Sequence, residues 1–216
     1  MVKLSVLTQQ ILNEQQSDKE IAAMDAAMGN AIKTLAAGFD ANKDAIEQEV
    51  EKTDLKVNEA LGAVAILGIL LALPKVVQLI ASGVGKLASV WKKLVKPGEA
   101  KGNEEEFAKK IIEFSHKWHK AYINGIKGLL KLVGVFKKAG IQDDAAQTKA
   151  AEVVYYTIIA GLAVYSGVGA VSAFKSALTT APNAGNFSIA GLESAMAAIK
   201  SSEAVEFLRK IGVAAS

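Results

Sequence analysis

The feature that most constrains the fold is an uncharged run of twenty-two residues, Val153 to Phe174, which lies between Glu152 and Lys175. As one α-helix rising about 1.5 Å per residue, this run would extend roughly 33 Å, enough to cross a hydrocarbon layer of about 30 Å. A second apolar run covers residues 60–74. Both runs need a cover of lipid or of other helices, and that choice governs the function.

The composition favours an all-helical protein. Of the 216 residues, 51% are hydrophobic but only 6% are aromatic, so aliphatic and small side chains must fill the core. There are three prolines and no cysteines, which suits long helices and excludes disulfides, thiolate metal sites and a cysteine nucleophile. We therefore predict an all-α helical bundle with a long acidic amphipathic N-terminal helix, a lysine-rich helical hairpin and a central apolar helix.

The charge is distributed unevenly along the chain. Residues 1–59 carry six basic and eleven acidic side chains, whereas residues 75–140 carry fourteen basic and five acidic ones. We divide the chain into an acidic amphipathic helical arm (1–59), an apolar helix plus a basic amphipathic helical hairpin (60–140), and a central apolar helix with short C-terminal helices (141–216). The chain has one arginine. This argues against sequence-specific nucleic-acid binding, because guanidinium groups make the commonest specific contacts to bases.

The N-terminal arm has the pattern of one amphipathic helix. Ser17 and Glu20 fit a capping box, which predicts a helix start. The apolar residues that follow recur mostly every three or four positions, as on a helix face or a heptad seam. They are Ile21, Met24, Met28, Ile32, Leu35, Phe39, Ile46, Val50 and Val57. Two interpretations stay open: the helix lies on its own protein's core, or it contacts another chain.

The middle segment predicts a hairpin of two cationic amphipathic helices. Pro74 ends the apolar run, so we expect a kink or a short break there. The lysine-rich helix that follows is typical of membrane interfaces, and equally of helices docked on a core. After a loop at 97–103, a second regular helix extends to about residue 140. The lysines expected to bind an anionic surface are Lys92, Lys93, Lys117, Lys120, Lys127 and Lys131.

The central apolar run carries small residues four apart. Ala163 with Gly167, and Ser166 with Ala170, have the spacing that lets helices approach closely in membranes or in tightly packed cores. Two tyrosines near the start of the run suit a membrane interface. The residues predicted to contact membrane or to pack helices are Leu67, Leu70, Pro74, Trp91, Tyr155, Tyr156, Ala163, Gly167 and Ala170.

Patterns that would indicate catalysis or metal binding are weak. Glu113 and His116 have the Glu-x-x-His spacing of di-iron bundles, and His119 follows, but the chain has no third histidine. We interpret both histidines as surface or boundary residues. The glycine-containing stretches 82–85 and 166–169 lack the strand-to-helix context of a phosphate loop. We therefore predict a protein that is not an enzyme and has no cofactor, metal or small-molecule substrate.

Three functional hypotheses follow. The first is a non-enzymatic helical assembly protein able to engage a membrane, such as a phage virion ejection or pore-forming component. The second is a purely structural helical subunit of a virion (capsid, portal or tail) or of another large complex, with apolar helices as oligomer contacts. The third is a two-span integral membrane protein. The expected partners are copies of the chain, a larger assembly or an anionic membrane. Without a recognisable secretory signal, we expect a virion or membrane-associated location.

Overall fold

The computed structural model describes residues 2–53, 62–94, 101–132, 134–181, 185 and 187–213. Within these ranges the chain is helical and contains no strand, which confirms the predicted all-α fold. The α-helices of the described ranges are α1 (Val2–Lys52), α2 (Ala63–Leu71), α3 (Pro74–Leu94), α4 (Glu104–Leu132), α5 (Val135–Lys138), α6 (Asp144–Tyr165), α7 (Val171–Thr180), α8 (Ile189–Ala198) and α9 (Ser202–Lys210).

The first helix is longer than the capping box predicted. α1 begins at Val2, not near Ser17, because no proline or glycine interrupts residues 2–28. Its 51 residues extend about 76 Å. The C-terminal half packs on α3 and α4, and its buried side chains include Ala31, Phe39, Ile46 and Val50. This confirms that part of the arm lies on its own protein's core.

Several residues of the predicted stripe lie outside the described part of the chain. Val57 is one, and so are the side chains of Ile21, Met24, Met28 and Leu35. In the C-terminal half of the stripe, where side chains are described, Phe39, Ile46 and Val50 are buried as predicted.

The break predicted at Pro74 is present. α2 ends at Leu71 and α3 begins at Pro74, and the two helices are bent by 104°. Proline suits the first position of a helix, where its missing N–H would have had no partner within the helix. The next N–H group, that of Lys75, donates a hydrogen bond of 2.9 Å to Glu49 Oε2 of α1. A carboxylate of α1 therefore caps the positive end of α3.

The described parts of α3 and α4 do not pair as the predicted hairpin. α3 packs chiefly on α1, whereas α4 packs chiefly on α6 and α7 and then on α1. Most side chains in the C-terminal half of α3, which precedes α4 in the chain, lie outside the described part, so the hairpin stays a prediction.

The central apolar run does not form one helix. α6 begins after Asp143, whose carboxylate accepts a hydrogen bond of 2.8 Å from the Ala146 N–H, and ends at Tyr165. Gly167 then adopts a φ of 95°, a left-handed conformation that glycine takes without a Cβ penalty and that ends many helices. The expected continuous helix to Phe174 was therefore wrong, because a local turn interrupts the apolar run.

α6 forms the centre of the core. Every residue from Val154 to Ala163 is buried, since α2, α4, α8 and α9 surround the helix. One close approach is at Gly161, where an added Cβ would lie 2.6 Å from Leu208 Cδ2 of α9. The middle of the apolar run is therefore covered by protein.

Candidate functional site

The first candidate site is the outward side of α2, a nine-residue helix without a polar side chain. Its inward side is buried mainly against α9, α6 and α3. The outward residues span a sector of roughly 120° at 100° per residue. This strip, which we name the α2 face, consists of Val64, Ala65, Gly68, Leu71 and Ala72. Val64 is 39% exposed, so the α2 face is an apolar surface in contact with solvent.

Cationic side chains lie on the helices that border α2. Lys75 is exposed at the start of α3, immediately after the bend. Lys137 is exposed on α5, whose Phe136 lines a small cavity together with Ile66 of α2. Lys210 is exposed on α9, which packs on α2. Three helices around α2 thus each carry an exposed lysine, of which Lys210 also lies 3.4 Å from the Glu206 carboxylate.

The residues predicted for membrane contact do not form one surface. Leu67 and Leu70 lie on the buried side of α2, and Ala163 lies in the buried centre of α6. Gly167 and Ala170 are exposed in the connection between α6 and α7, so the small-residue spacing is not a helix face. The remaining members are placed as follows: Pro74 is exposed at the bend, Tyr155 and Tyr156 are buried, and the side chain of Trp91 lies outside the described part.

One of the predicted surface lysines has an internal role. Lys127 has a side chain that is 17% exposed, and its Nζ lies 2.7 Å from Asp144 Oδ2 and 2.8 Å from Thr148 Oγ1. The hydrogen bond from Lys127 lowers the pKa of the Asp144 carboxyl. This pair ties the start of α6 to α4. Lys120 and Lys131 are exposed on α4, whereas the side chains of Lys92, Lys93 and Lys117 lie outside the described part.

The second candidate site is a buried aromatic cluster that the sequence did not predict. Its members are His119 and Tyr122 of α4, Tyr155 and Tyr156 of α6, and Phe187 just before α8. The centroid of the His119 ring lies 4.9 Å from that of Tyr155, 5.2 Å from that of Phe187 and 5.7 Å from that of Tyr156. The His119 and Tyr155 rings meet edge to face, an arrangement favoured by ring quadrupoles.

Only part of the polar groups in the aromatic cluster are hydrogen-bonded. Tyr155 Oη donates to the Ser115 carbonyl oxygen at 3.3 Å, and Tyr156 Oη accepts from the Ser188 N–H at 2.7 Å. Among the described residues, His119 Nδ1 and Tyr122 Oη have no hydrogen-bond partner. A buried polar atom without a partner is costly, so these two atoms lower the stability of the aromatic cluster.

Burial shifts the titration of the aromatic cluster. It lowers the pKa of His119 to about 4, and the nearby His116 acts in the same direction. It raises the pKa of Tyr156 to about 12 and raises the pKa of Tyr122 and Tyr155 still further. The imidazole and the three phenols are therefore neutral at physiological pH.

The interpretation of His119 as a surface or boundary residue was wrong, since its side chain is 7% exposed. The sequence does contain a pattern that indicates this burial, namely a second stripe beside the main apolar stripe of α4. Its members recur at three or four residues and are all buried: Ala108, Ile112, Ser115, His119 and Ile123. A helix with two adjacent buried stripes is covered from two sides, which places His119 inside.

The described residues contain no group of three or more metal-ligating side chains. Glu113 is exposed whereas His119 is buried, so the Glu-x-x-His spacing does not converge with His119 on one site.

No single described helix combines the length and the hydropathy needed to cross a bilayer. Taken together, Ala63–Leu71 and Pro74–Gly85 have the required length and hydropathy, but the two helices are bent relative to each other at the break between them.

A comparison of the chain with models of protein families, with curated proteins and with solved structures found no match.

Proposed function

We propose that this protein is a non-enzymatic helical assembly protein that engages an anionic membrane through the α2 face, as a pore-forming or virion ejection component does. The observation that carries the proposal is that α2 has no polar side chain even on its outward side. Soluble proteins usually place polar residues on the outward side of a surface helix. A contiguous apolar strip in that position is typical of a binding surface.

The size of the α2 face supports reversible contact. Full burial of one aliphatic side chain contributes about 1.5–3 kcal/mol, and the α2 face offers Val64 and Leu71 with smaller residues between them. Each lysine close to an anionic leaflet adds about 1 kcal/mol. Together these contributions support attachment at the surface. Deeper insertion requires the bent pair of α2 and α3 to straighten, or the core around α6 to open.

The charge distribution supports a lipid with an anionic head group. Residues 75–140 hold fourteen of the twenty-five basic side chains, and they follow α2 directly. In that segment Lys75, Lys120, Lys131 and Lys137 are exposed in the structure. Apolar contact together with cationic neighbours is the combination by which peripheral helices bind membranes.

A purely structural subunit is the second candidate, and the length of α1 favours it. α1 has 51 residues, whereas α3, which covers it most extensively, has 21. Exposed alanines at Ala22, Ala23 and Ala26 leave room for close approach of another helix. Because long helices gain most of their stability from packing, this part of α1 suits contact with a second chain.

Vesicle flotation tests the membrane proposal. The full chain should float with vesicles that contain anionic lipid and stay behind with zwitterionic vesicles. Val64→Asp places a charge on the α2 face and should reduce binding at least about tenfold. The matched control is Val205→Asp, since Val205 is 42% exposed on α9 and lies between polar Ser202 and Arg209 on its helix. The control should float like the wild type.

Two results would overturn the membrane proposal. One is failure of the wild type to float with either vesicle; the other is equal flotation of Val64→Asp and the wild type. Light scattering after size exclusion in detergent-free buffer then addresses the second candidate. A defined oligomer that does not float supports the structural subunit, whereas a monomer that does not float contradicts both candidates.

A further inference from the structure

The imidazole of His119 lies where three parts of the fold meet. From α4 it contacts Tyr155 and Tyr156 of α6 and Phe187, which immediately precedes Ser188 and α8. Tyr156 also positions α8, because its hydroxyl oxygen accepts the Ser188 N–H. The ring of Tyr156 packs so closely on α8 that a Cβ at Gly191 would lie 2.6 Å from Tyr156 Cε2. The aromatic cluster is thus the joint between α8 and the α4–α6 pair.

Among the residues that the structure describes, the groups around His119 offer no counter-charge. On α4 the electrostatic neighbour is His116, which would carry the same sign of charge when protonated. On α6 the titratable neighbours are the neutral Tyr155 and Tyr156, and Glu152 acts on the Tyr156 hydroxyl. Residues 187–188 carry no titratable side chain. On α7 and α8, Lys175 and Glu193 pair with each other at 2.5 Å.

We propose that this joint is an acid switch, in which protonation of His119 separates α8 from the α4–α6 pair and uncovers the apolar surface of α6. Protonation adds a charge and a further N–H donor to a space enclosed by three rings. Among the described residues, no acceptor reaches Nδ1. The charged imidazole is stabilised by water, so the joint must open to hydrate it.

The boundary that opens is the one at residues 187–188. α8 packs on α6 almost as extensively as α4 does, but α4 and α6 are also tied by the Lys127–Asp144 pair, whereas the ion pair described for α8 goes to Lys175 of α7. The start of α8 is held to the cluster by the Phe187 ring and by one hydrogen bond to Tyr156. Departure of α8 exposes part of α6, whose residues from Val154 to Ala163 are otherwise buried. This inference rests on the proposed function, since the uncovered apolar surface is what would enter lipid.

The direct test is an acid titration of the full chain in buffer. The transition is monitored by the binding of a hydrophobic dye and by amide hydrogen exchange in α8. Dye binding should rise on acidification from neutral pH towards about pH 4. His119→Phe keeps a ring of similar volume but cannot be protonated, so the transition should move down by at least about one pH unit. His116→Gln is the matched control: it removes a neighbour that also lowers the pKa of His119, so its transition should stay or move slightly towards neutral pH, opposite to His119→Phe. An unchanged transition in His119→Phe would overturn the switch.

A second measurement protects the test against a variant that folds poorly. The chain has two histidines, so His116→Gln assigns the two imidazole C–H signals in a proton NMR titration. In the folded protein the His119 signal should stay that of a neutral ring until the opening transition. Ordinary titration near pH 6.5, with the fold intact, would show that the imidazole is already hydrated and would overturn the switch.

Flotation at neutral and at acidic pH separates the two proposals. Stronger flotation at about pH 5, lost in His119→Phe, supports both. Opening in acid without flotation at any pH contradicts the membrane function and leaves the switch standing. Flotation at both pH values without any acid transition contradicts the switch and leaves the membrane function standing.

Discussion

The hydroxyl oxygen of Tyr156 accepts a hydrogen bond of 2.7 Å from the backbone N–H of Ser188, and this bond fixes the start of α8 to the centre of α6. Ser188 is also the N-cap of α8, because its Oγ accepts the Gly191 N–H at 3.0 Å. Gly191 in turn lies against the Tyr156 ring. The Tyr156 side chain of α6 therefore determines both the position along α6 at which α8 begins and how closely the two helices pack.

Removal of the Tyr156 hydroxyl should weaken the fold. Tyr156→Phe leaves the Ser188 N–H without its acceptor, so the free energy of unfolding should fall by about 1–3 kcal/mol in urea denaturation. Tyr165→Phe is the control, since Tyr165 is 38% exposed at the end of the same helix, and its effect should stay within about 0.5 kcal/mol. Equal effects of the two substitutions would contradict the role assigned to the Ser188 bond.

A side chain at Gly161 should separate α6 from α9. An added Cβ would meet Leu208 Cδ2 at 2.6 Å and Cδ1 at 2.9 Å, so the Leu208 side chain, which is fully buried, would have to shift within the core. Gly161→Ala should therefore destabilise the protein by about 1–3 kcal/mol, measured by urea denaturation. Gly68→Ala should instead stabilise it by roughly 0.5–1 kcal/mol, because nothing lies within 4 Å of a Cβ there and alanine favours the helix.

A double-mutant cycle tests whether the clash with Leu208 causes the destabilisation expected for Gly161→Ala. If overlap with Leu208 is responsible, Gly161→Ala should cost much less in a Leu208→Ala background, with a coupling of about 1 kcal/mol or more. Additive effects of the two substitutions would show that the clash is not the source.

Lys138 should stabilise the end of α1. Its Nζ donates to the carbonyl oxygens of Val50 and Glu51, the latter at 2.5 Å, in the last turn of that helix. A cation at the negative end of a helix and hydrogen bonds to otherwise unpaired carbonyls both favour the folded state. Lys138→Met should cost about 1–2 kcal/mol of unfolding free energy, and the loss should shrink at high salt. Lys137→Met, at an exposed neighbour, should change stability by less than about 0.5 kcal/mol.

Stability should fall in acid because of His119. Its pKa is about 4 in the folded protein and 6.5 as the unperturbed value, so between these values the unfolded chain binds a proton that the folded chain does not. The free energy of unfolding is therefore fully retained above pH 6.5 and declines as the pH falls towards 4, by up to about 3 kcal/mol. Urea denaturation at a series of pH values measures this slope. His119→Phe should flatten it, and an unchanged slope would assign the effect to other groups.

The local predictions that were confirmed depend on backbone chemistry or on strong periodicity. Pro74 cannot continue the α2 helix because it lacks an N–H, so a break was predictable. Phe39, Ile46 and Val50 lie on one helix face, so their burial together was also predictable. The helix start at Ser17 failed because a capping residue is also compatible with a helix interior when good helix formers precede it.

Predictions of what surrounds a given side chain in the folded protein were less successful, and Lys127 and Tyr155 show why. A lysine between apolar stripes has the same sequence signal whether water or a carboxylate surrounds it, and Asp144 follows it by seventeen residues. A tyrosine at the end of an apolar run suits a membrane interface or a buried hydrogen bond equally well. The Ser115 carbonyl that accepts from Tyr155 lies forty residues earlier. Such partners are brought together only by the packing of α4 on α6.

The sequence by itself determined that this protein is all-α, that its helices have apolar faces to bury, and that a proline breaks the first apolar run. These properties arise from backbone conformation and from the helical period, which act over a few residues. Only the tertiary structure decided that α6 is covered by protein, that α2 keeps an apolar face towards solvent, and that His119 is enclosed by aromatic rings. Burial is a property of the neighbours that long-range packing supplies, and a helical stripe specifies a face without specifying its partner.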